Sequence, residues 1–357
     1  MRMRKALKAL ALRSSKRLGL FTFLKNSEWR RRRLLVLCYH GVSLADEHLW
    51  NPPLYISPSD LRARFELLRG GGYRVLPLDE AIRRLYAREL PPRSVAVTFD
   101  DGYHDFHAAA WPLLREFDFP ATVYLTTLRC ERNYPVFNLV TSYMLWRASG
   151  RIVETSLPGA ARLDLRTSRS RTDSWKRVMA AASHRPIGEK RDVARELGSA
   201  LGVDYDALER RRMLTIMTPA QVSELAAAGL DVQLHTHSHQ TPGDRELFEA
   251  EIARNRERII AYTGRQPRHF CYPSGIYEAR FLPWLASAGV VSATTCDPGL
   301  ASERSDALLL PRLVDHAGLS AVEFEGWLSG AAALAPQKPA EQPRSAAAPA
   351  AGRPAAA

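Results

Sequence analysis

Cysteine is scarce in this chain of 357 residues: Cys38, Cys130, Cys271 and Cys296 are the only four, and no two form a C-x-x-C pair. Zinc ribbons and disulfide-stapled secreted scaffolds need denser cysteines at shorter spacings, so both are excluded and a reducing compartment is favoured. Long apolar runs are also missing. No stretch of about 18 apolar residues occurs, which excludes a transmembrane helix by length. Nor is there an export signal with an unbroken apolar centre, because Lys8 interrupts Ala6–Leu12, while Leu18–Leu24 contains Thr22 and runs into Lys25 and Arg30–Arg33. Acidic residues all but vanish at the amino end. Residues 1–33 hold twelve Lys or Arg against Glu28 alone, so eleven of the formal +12 charges lie there and the remainder of the chain is nearly neutral. That distribution argues against a nucleic-acid partner for the protein as a whole.

Within the basic segment, Leu7, Leu10, Ala11, Ser14, Leu18 and Phe21 recur at helical spacing, and Lys5, Lys8, Arg13, Lys16 and Arg17 fall largely elsewhere. A basic amphipathic helix over 1–33 that lies on an anionic membrane surface is the expectation, with the protein cytoplasmic and peripheral on the inner membrane face. The alternative is a basic extension packed on its own domain. At the other end, residues 331–357 are rich in Ala, Pro and Gln without periodicity, and a disordered tail is expected there.

The informative features lie between these ends. Val95, Ala96, Val97, Thr98 and Phe99 read as a strand buried on both faces, as in a parallel sheet, and at its carboxyl end stand Asp100, Asp101 and Gly102. Such sheets and barrels carry their chemistry at that end. Two adjacent carboxylates can divide the work, one on a metal and one on a water. A second strand-like run, Asp231–Leu234, leads into His235, Thr236, His237, Ser238 and His239. His235 and His239 are four residues apart, so a helical turn would bring both imidazoles to one side, and neutral imidazole is the commonest ligand of zinc and its neighbours. His237 is either a supporting residue or simply exposed. Two His and one Asp leave coordination positions open for water, the arrangement of a catalytic rather than a structural metal, with hydrolysis as the default chemistry.

The Thr98–Gly102 and His235–His239 motifs resemble the first two motifs of the polysaccharide deacetylase family, also called carbohydrate esterase family 4 or the NodB-homology domain. Leu37–Val42 is similar to an opening strand of one branch, Ser57–Leu78 to the helix and strand that follow, Pro120–Leu125 to the strand after the first motif, Met217–Gly229 to the helix before the histidines, and Phe270–Gly275 to the third motif. The resemblance covers about residues 34–328. It implies an α/β fold, a distorted (β/α) barrel often of seven strands, in agreement with the alternating strand and helix signals. It further implies Asp101, His235 and His239 as ligands of a divalent metal, zinc first, with Asp100 as general base. Tyr272 and Ser274 would contact substrate or oxyanion, the latter through the Ser274 backbone N–H, and His316, in a weak fifth motif with Leu313, would be the proton donor. His40 is open between a supporting and a purely structural role.

Two departures qualify the match. Cys271 stands where many members carry an arginine that orients the catalytic aspartate, with Arg268 and Arg312 as candidate substitutes, and the tryptophan of the fourth motif is not evident in Ala293–Gly299. The implied activity is removal of N-acetyl, or O-acetyl, groups from a polysaccharide or a lipid-linked sugar precursor. The alternative is a catalytically impaired carbohydrate-binding scaffold at the membrane. Residues 129–214 read as an insertion. It carries Arg147, Arg151, Arg162, Arg166, Arg169, Arg171, Lys176 and Arg177 with Trp146 and Trp175, either as solvated helices or as a cover over the substrate groove.

Overall fold

The computed structural model describes residues 2–335; most of the tail expected over 331–357 lies outside the described residues, and Ala331–Leu334 form a single 3-10 turn. Short, largely buried strands build the centre. In chain order they are β1 (Leu35–Tyr39), β2 (Arg74–Val75), β3 (Ser94–Phe99), β4 (Thr122–Leu125), β5 (Asp231–Leu234), β6 (His269–Cys271), β7 (Ser292–Thr294) and β8 (Leu313–Val314). Seven of them run β7-β6-β5-β4-β3-β1-β8, every pair parallel, and the two-residue β2 adds to the start of β3. The sheet curls back on itself: a parallel bridge from Thr294 to Leu310 brings β7 beside the segment that leads into β8. This is the distorted seven-stranded (β/α) barrel. Every residue of β1, β3 and β4 is buried, because helices cover the outer face while side chains fill the inner one.

The helices begin where local chemistry starts them. Ser57 caps Pro58–Gly70 by accepting the Asp60 N–H, and Thr218 forms a capping box with Gln221 ahead of Pro219–Ala227, each with proline in the first turn. Between β4 and Pro219 the chain leaves the barrel and makes helices Phe137–Arg147, Ser168–Ala181, Ile187–Leu201 and Tyr205–Arg210 with a ribbon of Ile152–Glu154 against Arg162–Asp164. These elements pack on an apolar cluster of their own, including Val140, Met144, Leu163, Val178, Leu197 and Leu201. Most of the insertion's arginines turn outward: Arg147 pairs with Asp46 and Arg166 with Asp164.

The amino-terminal segment is helical, Arg2–Arg17, Leu20–Lys25 and Glu28–Arg31, but its buried face differs from the expected stripe. Leu12, Phe21 and Leu24 are buried, with Leu12 and Phe21 against Val322, whereas Leu10 and Leu18 are 60% and 86% exposed. Within Arg2–Arg17 it is Ala9 and Leu12 that pack toward Val322, and beyond the break at Gly19 (φ 80°) the next helix buries Phe21 and Leu24. Arg30 is fully buried and donates to the carbonyls of Leu328, Arg33 and Ser94, pinning the segment near the amino end of β3.

Candidate active site

β3 delivers both aspartates, and its last turn sends them in different directions. Asp100 continues the ladder, its N–H donating to the Tyr39 carbonyl, while Asp101 (φ 67°) and Gly102 (φ 80°) both enter the left-handed region. Asp tolerates that region better than most residues. Gly102 has no alternative, since a Cβ there would lie 2.3 Å from Leu125 Cδ1.

Asp100 points into the barrel. Arg312 grips it through two parallel bonds, Nη1–Oδ1 and Nη2–Oδ2, each 2.8 Å, and is itself oriented by the Thr295 carbonyl at Nε. Both residues are buried, and the Cys38 and Cys271 thiols each sit 3.4 Å from Asp100 Oδ2. Burial alone would raise the Asp100 pKa, but the Arg312 guanidinium, through charge and hydrogen bonds, holds it well below the usual carboxylate range. Arg312 therefore meets the aspartate across the space that Cys271 leaves. Arg268 is elsewhere, on Asp79 at the surface.

Asp101 turns the other way. Its Oδ1 lies 3.2 Å from His235 Nε2 and 3.0 Å from His239 Nε2, and the three ligand atoms are mutually within 4.8 Å. Helical spacing is not what joins the histidines. His235 ends β5, and the chain then loops through Thr236 (φ 59°) and His239 (φ 62°), which curls the second imidazole back to 4.9 Å from the first. The donor set suits a divalent ion: one carboxylate oxygen, two ring nitrogens and solvent access on one side. His235 Nδ1 lies 2.9 Å from the Cys271 carbonyl, which fixes the N–H there and leaves the Nε2 lone pair facing Asp101. His237 turns away, with Nδ1 3.0 Å from Thr127 Oγ1 and its carbonyl accepting from Leu128 N–H.

The third-motif residues separate. Ser274 (φ 57°) lines the same cavity as Asp101, His239 and His40, whereas Tyr272 is fully buried, its hydroxyl donating to the Leu308 carbonyl and its N–H facing the Thr294 carbonyl. Tyr272 thus packs behind the site rather than in it. His316 is not among the residues lining that cavity; Asp315 before it pairs with Arg64, and the Gly318 N–H donates to His316 Nδ1. His40 stands nearer, its Nε2 3.7 Å from Asp100 Oδ2.

Asn255 is a residue that motif reading passes over. Fully buried, it accepts the His235 N–H at 2.9 Å and donates to the Leu125 carbonyl and Thr127 Oγ1. The signal was available: Phe248, Ile252, Asn255 and Ile259 form the buried face of Arg245–Thr263, and an amide on an apolar stripe must satisfy something. Above the site the cavity is about 720 Å³, within the range of small-molecule pockets, and the insertion supplies its outer wall through Trp175, Met179, Lys190 and Tyr205.

Comparison with known proteins bears on the family and the fold. The polysaccharide deacetylase family model matches residues 87–293. Over 102 residues the chain is 30% identical to the poly-beta-1,6-N-acetyl-D-glucosamine N-deacetylase of Escherichia coli K12, a match spanning 28% of this chain and 15% of that protein. In three dimensions it resembles the deacetylase PplD of Streptococcus pyogenes, solved with acetate (TM-score 0.54, 19% identity, 81% of this chain and 94% of that one). IcaB from Ammonifex degensii is similar at TM-score 0.51 and 20% identity, over 84% and 97% of the two chains. At such identity these structures speak for the fold.

Proposed function

The chain belongs to the polysaccharide deacetylase family, and from that premise we propose that it is a metal-dependent hydrolase that removes N-acetyl groups from a glycan. The observation that carries the reading is the meeting of Asp101, His235 and His239 beside a separately held, ionised Asp100, with Asp101 and His239 opening into the cavity. Asp101 Oδ1, His235 Nε2 and His239 Nε2 would hold zinc or a similar ion. When bound, such an ion polarises the acetyl carbonyl and lowers the pKa of water from 15.7 toward about 7.

The chain's own groups then handle the protons. Asp100 accepts one from the attacking water. Because Arg312 makes Asp100 a poor holder of that proton, it passes to His40 at 3.7 Å. Burial pushes the His40 ring below its usual range, so it rests neutral and, once protonated, gives the proton up readily. From His40 the proton goes to the departing amine nitrogen, the role the motif resemblance had given to His316. The Ser274 backbone N–H, held in a left-handed turn at the cavity wall, is the candidate donor to the oxyanion.

The E. coli relative is named for an N-acetylglucosamine polymer, which supports N- rather than O-deacetylation of a polymeric glycan here. The reading as an impaired scaffold loses its basis, since it depended on Cys271 leaving Asp100 without an arginine. The basic amino-terminal segment is proposed as a peripheral contact with an anionic, cytoplasmic membrane face; among the described residues no helix is long and apolar enough to cross a membrane. The test is acetate release from a panel of N-acetylated and O-acetylated oligosaccharides with and without added zinc. Zinc-dependent release from N-acetylated members is expected. No release from any member, with zinc bound, would overturn the proposal.

A further inference from the structure

The outer wall of the active-site cavity carries one sign of charge. Arg129 and Arg132, from the loop after β4, and Lys190 and Arg191, from the Ile187–Leu201 helix, all line it, and Asp101 is the only carboxylate among the lining residues. Asp101 is already engaged by His235 and His239. Arg191 is paired outward with Glu209 at 2.6 Å. Arg129, Arg132 and Lys190 are half-buried, and among the described residues none of them is within ion-pair distance of a carboxylate. Burial disfavours the charge of Arg129 and the neighbouring Arg132 adds to that, while Tyr103, Tyr134 and Asp101 act the other way without cancelling it. Three cations gathered with no carboxylate at ion-pair distance, one of them against its own desolvation, make a wall that favours an anion. Trp175 and Tyr134, in the same wall, offer faces for sugar rings.

We propose that the substrate is an anionic glycan, bearing a phosphate or a carboxylate close to the acetamido group to be cleaved, and that Arg129, Arg132 and Lys190 bind that anion. This rests on the deacetylase reading of the floor of the cavity. A neutral N-acetylglucosamine polymer fits the wall poorly, because each deacetylation leaves an ammonium group that these cations repel. An acidic glycan keeps its attraction, and the new ammonium weakens the hold of the product relative to the substrate.

The experiment measures binding apart from turnover. Metal-free protein is titrated calorimetrically with the N-acetylglucosamine trisaccharide, the same trisaccharide carrying a 6-phosphate, and a hyaluronan tetrasaccharide whose glucuronates supply the carboxylate. Tenfold or tighter binding of at least one charged probe over the neutral one is expected, falling as salt rises from 0.05 to about 0.5 M; the phosphate and carboxylate arms tell the two anions apart. R132Q and K190Q should each lower that preference at least threefold, and the salt dependence of the wild type provides the same evidence should a variant fail to fold. Equal binding of neutral and charged probes, or a preference untouched by both substitutions, overturns the proposal. Charge-selective binding combined with no acetate release from any probe once the protein is loaded with zinc would uphold the anion site and reject the deacetylase reading.

Discussion

At the scale of single residues the site separates two adjacent aspartates by environment. Asp100→Asn keeps shape but removes the proton acceptor, so zinc should remain bound while kcat falls by about 10² to 10⁴; near-normal turnover in a zinc-loaded variant would mean the two aspartates have exchanged roles. Arg312→Met makes a different prediction. It leaves a buried carboxylate unpaired, at a cost of about 3–5 kcal/mol in denaturant unfolding, and releases the Asp100 pKa upward. The acid limb of the kcat/KM profile should then move to higher pH, and an unmoved limb would show that Arg312 does not govern the base. The sign for stability follows from the lowered folded-state pKa. The pair's contribution is full above the unfolded Asp value of about 3.9 and is lost as the pH falls below it. Motif spacing made Asp100, Asp101, His235 and His239 legible. It could not choose between Arg268 and Arg312, because which arginine reaches Asp100 depends on β8 closing against β1 across the whole chain.

At the scale of elements, the strands Val95–Phe99 and Asp231–Leu234 were readable from their runs, whereas loop geometry was not. The convergence of His235 and His239 comes from left-handed residues in a loop, which a spacing of four cannot distinguish from a helical turn. The direction of His316 was not legible for a related reason: a two-residue strand with little pattern says nothing of the side chains beyond it. Asn255 links three elements, β4, β5 and the Arg245–Thr263 helix. Asn255→Leu should therefore cost about 2–4 kcal/mol by leaving buried polar groups unmet, and should weaken zinc binding about 10- to 100-fold by loosening His235. Equilibrium unfolding and zinc titration read the two effects separately; loss of stability with unchanged zinc affinity would confine Asn255 to the core.

At the scale of the whole molecule, the barrel presents different surfaces at its two ends. The active site lies at the carboxyl ends of the strands, while the basic segment joins at their amino ends, where Arg30 meets the Ser94 carbonyl. Charge and composition disclosed that segment, but not which of its sides packs against Val322. Removing residues 1–33 would strip Arg30, Phe21 and Leu24 from the barrel, so point changes are the better probe. Leu18 and Phe23 are 86% and 71% exposed among the basic side chains. L18E with F23E should sharply reduce co-sedimentation with anionic vesicles while hydrolysis of a soluble oligosaccharide persists, and binding equal to wild type would make the segment a soluble extension. The central claim, a hydrolytic metal centre on Asp101, His235 and His239, is tested most directly by titrating zinc into metal-free protein while following acetate release from an N-acetylated oligosaccharide. Activity should rise with zinc and saturate at one equivalent per chain, and His239→Ala should bind little zinc and stay inactive. Full release without any divalent metal, or equal zinc content and turnover in His239→Ala, would contradict the account.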